Sequence, residues 1–490
     1  MAINFTYYQT SNRVPGVYVE MDPSHANSGV ANQTTLLMGQ ILAGGTAPPN
    51  QPFIVESKSQ VQAACGQGSI LDAMAERYLD RDPFGTLYLL PLADNPAGAV
   101  ATGTITITGT ATATGTLNLY VAGQRVQSPV TTGDTPTIIA GNLKAAIAAN
   151  PALPVNEAVA AGVITLTALN KGETGNGIDL QMNFLGNAGG EYPVPGVTVV
   201  IAPMAGGTAN PILTGGLANL SSVPYDFIGL PYTDTTSLDA MRNFLADDVG
   251  RWSWQQMIYG GCFASYKGTL GQCTSFGLGR NDQHMSVMAF NGSPDPSWIW
   301  TAEVLAGCAS SLRVDPGLPL QYIATTLKAP PIPLRWTLGE RNTLLYDGMS
   351  TTREGADDTV IIERMCTNYQ KNAAGAVDNS YLDVETMYGL MFVARDLSNY
   401  LLTRYARKKL VSDTTPILAG SNCVNAPMIK ASVIMEYRAL QAAGYVQNAD
   451  QFARGIVVED AGNGLVKILA PVDLVNQLRQ IAILLQFRKS

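Results

Sequence analysis

Charge is scarce in this sequence: Asp, Glu, Lys and Arg make up 14% of its 490 residues, against about 25% in an average soluble protein. What charge there is leans acidic, with 30 Lys and Arg against 38 Asp and Glu. That balance argues against a general nucleic-acid binder, which needs a basic face to neutralise phosphates. Histidine is nearly absent, with two residues, and the six cysteines (Cys65, Cys262, Cys273, Cys308, Cys366, Cys423) contain no C-x-x-C pair. Neither a zinc site nor a disulfide framework is expected, and buried free thiols are the reading instead. No stretch approaches the ~18 uninterrupted apolar residues of a membrane helix. Residues 1–21 lack the cationic start and apolar run of a secretory signal, so the chain is expected to be soluble when made. Glycine and proline stay below the share that marks low-complexity chains.

What remains is apolar and folded: 46% of residues are hydrophobic, and the length suits two to four domains of roughly 100–200 residues each. Residues 1–24 read as an arm, in which Val17, Val19 and Met21 alternate with Tyr18 and Glu20 before Pro23 ends the pattern, the period of a half-covered strand. From residue 25 the pattern is α/β, with an apolar strand at 34–41, a helix at 69–80 and a strand at 87–90. Residues 98–205 change character: eight of them are charged, and Thr and Gly dominate. Strand-like runs at 103–109, 116–121, 162–169, 178–184 and 197–201, with one helix near 137–149, predict an inserted β-rich domain. The α/β pattern then resumes, with strands at 225–230, 256–263 and 284–290 and helices at 237–249 and 269–278. Alternating strands and helices imply right-handed crossovers and a mainly parallel sheet, begun in 25–97 and completed in 206–335.

A C-terminal α+β unit, 336–480, follows the cluster Pro330-Pro331-Ile332-Pro333. It holds a long helix at 385–409 with Met387, Leu390, Met391, Ala394, Leu397, Leu401 and Tyr405 as its stripe. A hairpin follows at 455–460 and 465–470 around Asn463-Gly464, the strongest short hairpin signal. A short helix is expected after Pro471, and then a last apolar run, Ile481 to Phe487, opens the terminal segment 481–490. The fold class is thus α/β multidomain, with a mainly parallel core, an inserted β-rich domain, a C-terminal α+β domain and extended terminal strand arms.

Catalytic chemistry is hard to find. No strand leads into G-x-G-x-x-G, and no G-x-x-x-x-G-K-[ST] occurs. After the strand at 225–230 comes a helix cap (Asp234, Thr235 or Thr236) rather than a phosphate cradle. Asp282 and His284 have the types of a catalytic pair, but Cys273-Thr-Ser275-Phe-Gly277 lacks the first glycine of a nucleophile elbow, and a hydrogen-bonded structural histidine is expected. Asp357-Asp358 with Glu354, and Glu459-Asp460, lack the glycine-centred spacing of a calcium loop and read as solvated turns. No cofactor, metal or enzymatic activity is expected. Arg404, Arg407, Lys408 and Lys409 crowd the end of the long helix; they either complement its dipole or form a basic patch for an acidic protein surface.

The ends carry the more telling signal. Two apolar terminal strands have no hairpin mate, and a two-stranded hairpin sheet is marginal alone. Strand addition between copies would complete it, and head-to-tail exchange that does not close gives a helical filament.

Four segments carry a family resemblance: Arg13-Val-Pro-Gly-Val-Tyr-Val-Glu20, Thr337-Leu-Gly-Glu-Arg-Asn-Thr-Leu-Leu-Tyr-Asp-Gly-Met349, Ile362-Glu-Arg-Met-Cys-Thr-Asn-Tyr-Gln370 and Asp378-Asn-Ser-Tyr-Leu-Asp-Val384. In order and spacing the chain resembles the contractile-tail sheath proteins of Mu-like bacteriophages over nearly its whole length, the Thr/Gly-rich insertion included. The resemblance implies a structural subunit that polymerises helically around a tail tube and contracts to drive it through a bacterial envelope. Its partners would be further copies, the tail tube protein, and baseplate and tail terminator proteins, with no nucleic acid and no membrane. Its place would be the virion tail, after a soluble stage in the host cytoplasm. Inter-subunit strand sharing would fall on Val17, Val19, Met21, Ile456, Val458, Val466, Ile468, Ile481, Ile483 and Leu485. Arg404, Arg407, Lys408 and Lys409 would face the tube, and 98–205 would face outward. Two other readings stay open: a nucleotide-binding α/β enzyme with a β-rich appendage, from 225–290, and another tail component or adhesin, from 98–205.

Overall fold

A computed structural model describes residues 33–418 and 420–489; the expected strand bearing Val17, Val19 and Met21 lies outside the described residues. The centre of the described molecule is a six-stranded sheet ordered Phe53–Ile54, Leu87–Leu92, Thr35–Gln40, Phe227–Gly229, Gly261–Lys267, Met285–Phe290. All neighbours are parallel except the edge pair made by Phe53–Ile54. Taken in chain order, the five parallel strands lie 2-1-3-4-5, a doubly wound arrangement. Thr35–Gln40, buried along its whole length, pairs with Leu87–Leu92 on one side and with Phe227–Gly229 on the other. The two halves of the sheet are therefore joined across the Thr/Gly-rich stretch.

Strand alternation decides which helix each side chain meets. Leu37, Leu89, Phe227, Phe263 and Phe290 share a core with helices Ile70–Arg81 and Ser297–Val314. Leu36, Met38, Leu90, Ile228 and Leu230 instead pack against Leu238, Met241 and Leu245 of helix Thr235–Leu245. That helix starts on Asp234, whose carboxylate accepts the Ser237 N–H at 2.9 Å, one of the three caps the sequence offered.

Several boundaries depart from the sequence reading. Helix Ser297–Val314 has no counterpart in it, because a helix buried on every side shows no apolar stripe; Trp298, Trp300 and Leu305 are all buried, and Trp300 stacks on Phe290 at 4.3 Å. The strand expected at 256–263 starts at Gly261 instead. The chain before it folds around Arg251, which is fully buried and donates to the carbonyls of Val223 (2.5 Å), Tyr259 (3.3 Å) and Ser221 (3.4 Å). Burial pulls this guanidinium down to about 10.

The inserted stretch forms two antiparallel sheets. One is ordered Thr198–Ala205, Val100–Thr108, Val163–Lys171, Val155–Ala160; the other is Gln124–Val130, Gly115–Val121, Leu180–Met182. Strands 124–130 and 155–160 escaped the sequence reading, and the run expected over 178–184 shrinks to three residues. Buried Asn170 ties the stretch to the parallel sheet: its amide donates to the Ile41 carbonyl and the Asp94 carboxylate and accepts the Ile70 N–H, all at 3.2 Å.

The long helix, Val384–Tyr405, spans two cores. Met387, Tyr388 and Met391 belong to the central one, and Val393 packs with helices Ala426–Ala442 and Ala449–Gly455 in the C-terminal one. It presses on the sheet so closely that a Cβ at Gly261 would lie 2.4 Å from Met387 Cε. Asp226, 1% exposed, pins it: its carboxylate accepts the Thr34 N–H (3.0 Å) and Arg395 (2.5 Å), and its carbonyl accepts the Tyr388 hydroxyl (2.8 Å). Removing one partner of such a buried pair leaves the other charge uncompensated. Asp226→Ala should therefore lower stability by about 3 kcal/mol, read by urea denaturation of the unpolymerised chain, whereas Asp450→Ala, on the exposed Arg438–Asp450 pair, should cost under about 1 kcal/mol.

Candidate assembly surface

The hairpin at the C-terminal end pairs Val457–Asp460 with Val466–Leu469 and stands as a two-stranded sheet. Its turn residues Asn463 and Gly464 have φ of +53° and +78°, the left-handed pair that a type I′ turn requires. Because the sheet has two strands, each keeps one edge whose N–H and C=O groups have no ladder partner within it. Val458 and Val466 are partly buried against the C-terminal core, and Ile468 is 36% exposed. Ile456 stands apart from them. It is 1% exposed, and its N–H is already bonded to the Phe452 carbonyl at 2.9 Å, so its side chain serves the core.

No helix follows Pro471, contrary to expectation. Residues 471–479 instead run as an extended strap whose polar groups are met by other segments. Gln447 donates its N–H to the Asp473 carbonyl at 2.9 Å, Asn448 donates to the Asp473 carboxylate at 2.7 Å, and Leu474 makes an isolated antiparallel bridge to Val446. Arg479 closes the strap. Its Nη2 lies 3.0 Å from Asp383 Oδ1 and 2.9 Å from Glu385 Oε2, the latter on a side chain with no exposure. Asp383 also holds Arg364 through both carboxylate oxygens, at 2.9 and 3.1 Å, and Glu385 accepts the Leu320 N–H at 2.5 Å. Burial raises the Glu385 carboxyl, and Arg479 opposes that rise. Past this clamp the chain is bare: Ile481, Ile483, Leu484, Leu485 and Phe487 are 74–90% exposed. Sequence reasoning found the bare run and missed the clamp, whose only signal was a lone arginine between two apolar stretches.

The basic residues lie where the long helix ends, four residues earlier than expected. Arg404 is in its last turn, its guanidinium over the Tyr400 ring at 5.8 Å. Arg407 and Lys408 follow the helix, and Lys409 opens a two-residue parallel pairing of Lys409–Leu410 with Cys423–Val424. Lys408 donates to Asn422 at 3.2 Å. All four side chains are exposed.

The crevice outside the carboxyl ends of the parallel strands, where a doubly wound sheet would hold a cofactor, is filled by the chain itself. At the switch point between Thr35–Gln40 and Phe227–Gly229, the Gln40 amide donates to Asp94 and to the Lys171 carbonyl, both at 2.6 Å, and the Tyr232 hydroxyl meets Gln40 at 3.3 Å. Asp282 and His284 do not face each other as a pair. Asp282 accepts Arg280 Nε at 2.7 Å, while the His284 ring stacks on Trp252 at 4.2 Å with Asp247 3.4 Å from its Nε2. Asp357 accepts the Thr359 hydroxyl at 2.8 Å, and Asp358 pairs with Arg335 at 2.6 Å, as turn residues do. Among the described residues no cluster of His, Cys, Asp and Glu is arranged to hold a metal, and no helix is long and apolar enough to cross a membrane. Five of the six thiols are buried, and Cys423 is partly so.

Residues 206–368 match the family model of the phage tail sheath protein central domain, and residues 376–488 that of the phage tail sheath C-terminal domain. Over 491 residues, covering 99% of this chain and all of the relative, the sequence is 37% identical to the Mu-like prophage FluMu tail sheath protein of Haemophilus influenzae. The chain belongs to the phage tail sheath family. Among solved structures, a sheath tail protein from Desulfitobacterium hafniense aligns over 94% of this chain and 97% of its own, with 13% identity and a TM-score of 0.49. The anti-feeding prophage helical sheath in its contracted state aligns over 98% and 100%, with 12% identity and a TM-score of 0.46. The C-terminal match takes in the hairpin, the strap, the clamp and the bare run of this sheath chain together.

Burial holds His284 down to about 3, well below the ~6.5 of an unfolded histidine. A group depressed in this way binds its proton more readily in the unfolded chain, so its contribution is complete above pH 6.5 and is lost as pH falls below that. Between pH 7 and pH 5 the unpolymerised chain should lose about 2 kcal/mol from this group. In paired urea titrations, His284→Phe should remove that much of the pH dependence; an unchanged slope would show that His284 is not the group responsible.

Proposed function

We propose that copies of this chain polymerise helically around a tail tube and that shortening of this sheath drives the tube through a bacterial envelope. The observation that carries the reading is the juxtaposition of an open two-stranded sheet with a bare apolar run, in a chain of the sheath family. Ile481, Ile483 and Leu485 of one copy add to an open edge of another copy's hairpin, whose two strands carry Val458 and, opposite it, Val466 and Ile468. From the sequence alternation alone, Val17, Val19 and Met21 supply a second donated strand.

Ordering seven residues costs about 1–2 kcal/mol each, while burying each large apolar side chain returns about 1.5–3 kcal/mol. One donated strand is thus near balance, and ladder bonds plus repeated lattice contacts tip it, which favours a long polymer over an isolated dimer. A non-closing exchange leaves an unfilled edge at one end and an undonated strand at the other, a role for baseplate and tail terminator proteins. Shortening is a rearrangement of rigid subunits tethered by their strands, with energy stored at assembly and no nucleotide consumed. In this arrangement residues 98–205 form the outer domain, and Arg404, Arg407, Lys408 and Lys409 face the tube. The working place is the tail of the particle, after folding in the host cytoplasm.

Deleting residues 1–21 or residues 481–490 should leave folded single subunits by analytical ultracentrifugation, where the parent forms striated tubes in negative stain; tubes that persist after either deletion would overturn donation by that segment. Combining Arg407→Glu, Lys408→Glu and Lys409→Glu should spare self-assembly but abolish co-sedimentation with tail tubes at about 0.1 M salt; unchanged co-sedimentation would remove these residues from the tube face.

A further inference from the structure

The strap and the bare run meet at Arg479, and that junction carries an inference resting on strand donation as proposed above. We propose that Arg479 is the positioning residue of the C-terminal strand: its clamp on Asp383 and Glu385 fixes the point at which the strand leaves one subunit, so that the neighbouring hairpin must sit directly against it. A single residue, Gln480, separates Arg479 from Ile481. Two residues of extended chain span at most about 7 Å. With the clamp closed, the first rung donated to the neighbour lies within that distance of the Arg479 Cα, and the connection has no slack.

The clamp is built to hold against pull. One guanidinium nitrogen reaches two carboxylates, at 3.0 and 2.9 Å, and both carboxylates have further anchors in the body: Arg364 on strand Val360–Arg364 holds Asp383, and the Leu320 N–H holds Glu385. Just before it, the Leu478 carbonyl accepts Gln321 Nε2 at 3.0 Å. Tension on the donated strand therefore enters the first turn of the long helix and the small sheet beside it, and the hairpin turn does not bear it. A short, fixed connection holds the donated strand at high effective concentration next to its acceptor, and slack lowers that concentration steeply.

The experiment uses the full chain in three forms beside the parent. Arg479→Met with Glu385→Gln removes the clamp without leaving a buried unpaired carboxylate. A six-residue Gly-Ser segment inserted between Arg479 and Gln480 leaves the clamp intact and adds slack. Deletion of residues 481–490 removes the strand. The critical concentration for tube formation should rise at least about tenfold in both of the first two. Hydrogen exchange at residues 474–479 of unpolymerised protein should quicken at least tenfold in the double substitution alone, with helix Ala426–Ala442 unchanged. Parental assembly by either the double substitution or the insertion overturns the inference, and if the double substitution does not fold, the insertion decides. Tube formation by the deletion form would instead sink donation of the C-terminal strand itself, so the two failures are told apart.

Discussion

A β-strand edge is a row of donors and acceptors that must be met by something, and much of the C-terminal third of this chain is arranged around one such edge. The hairpin Val457–Asp460 and Val466–Leu469 is too small a sheet to stand on its own pairing, and it leans on helix Ala426–Ala442 and the core around Tyr437 and Phe452, whose rings stack at 3.7 Å. Apolar residues 481–487 are left in solvent a short way along the same chain. In a monomer both features go unmet; under the strand donation proposed above, each would be the other's remedy.

The remainder of the molecule has the character of a rigid mount. The doubly wound sheet is a fold that elsewhere holds cofactors at its switch point, yet here Gln40, Asp94, Asn170, Lys171 and Tyr232 fill that position with mutual hydrogen bonds. The same contacts fasten the Thr/Gly-rich sheets to the parallel one. A crevice that would serve chemistry in another protein serves here as a joint.

The scarce charges repeat this theme. Many of the ion pairs with a buried member use arginine: Arg395 on Asp226, Arg313 on Asp82, and Arg479 on Glu385. A planar guanidinium can span two acceptors at once, and here it links segments far apart in sequence. Exposed cations with no ion pair among the described residues gather instead at residues 404–409, at the end of the long helix.

Elements whose instructions are local were legible from residues alone. Asn463-Gly464 announces its hairpin because few other pairs accept two left-handed conformations in succession. The start of helix Thr235–Leu245 is announced by three cap candidates, Asp234, Thr235 and Thr236, of which the structure uses Asp234. Alternation within 98–205 announces strands because one of their faces is covered. Helix Ser297–Val314 was invisible because burial on all sides erases the periodicity that reveals a helix, and the coil around Arg251 because its acceptors are carbonyls, which every residue has. Only the tertiary structure decided that residues 471–479 run as a strap and that Arg479 meets Asp383, 96 positions away. Backbone propensity acts over a few residues, whereas the pairing of two charges depends on where the whole chain has brought them.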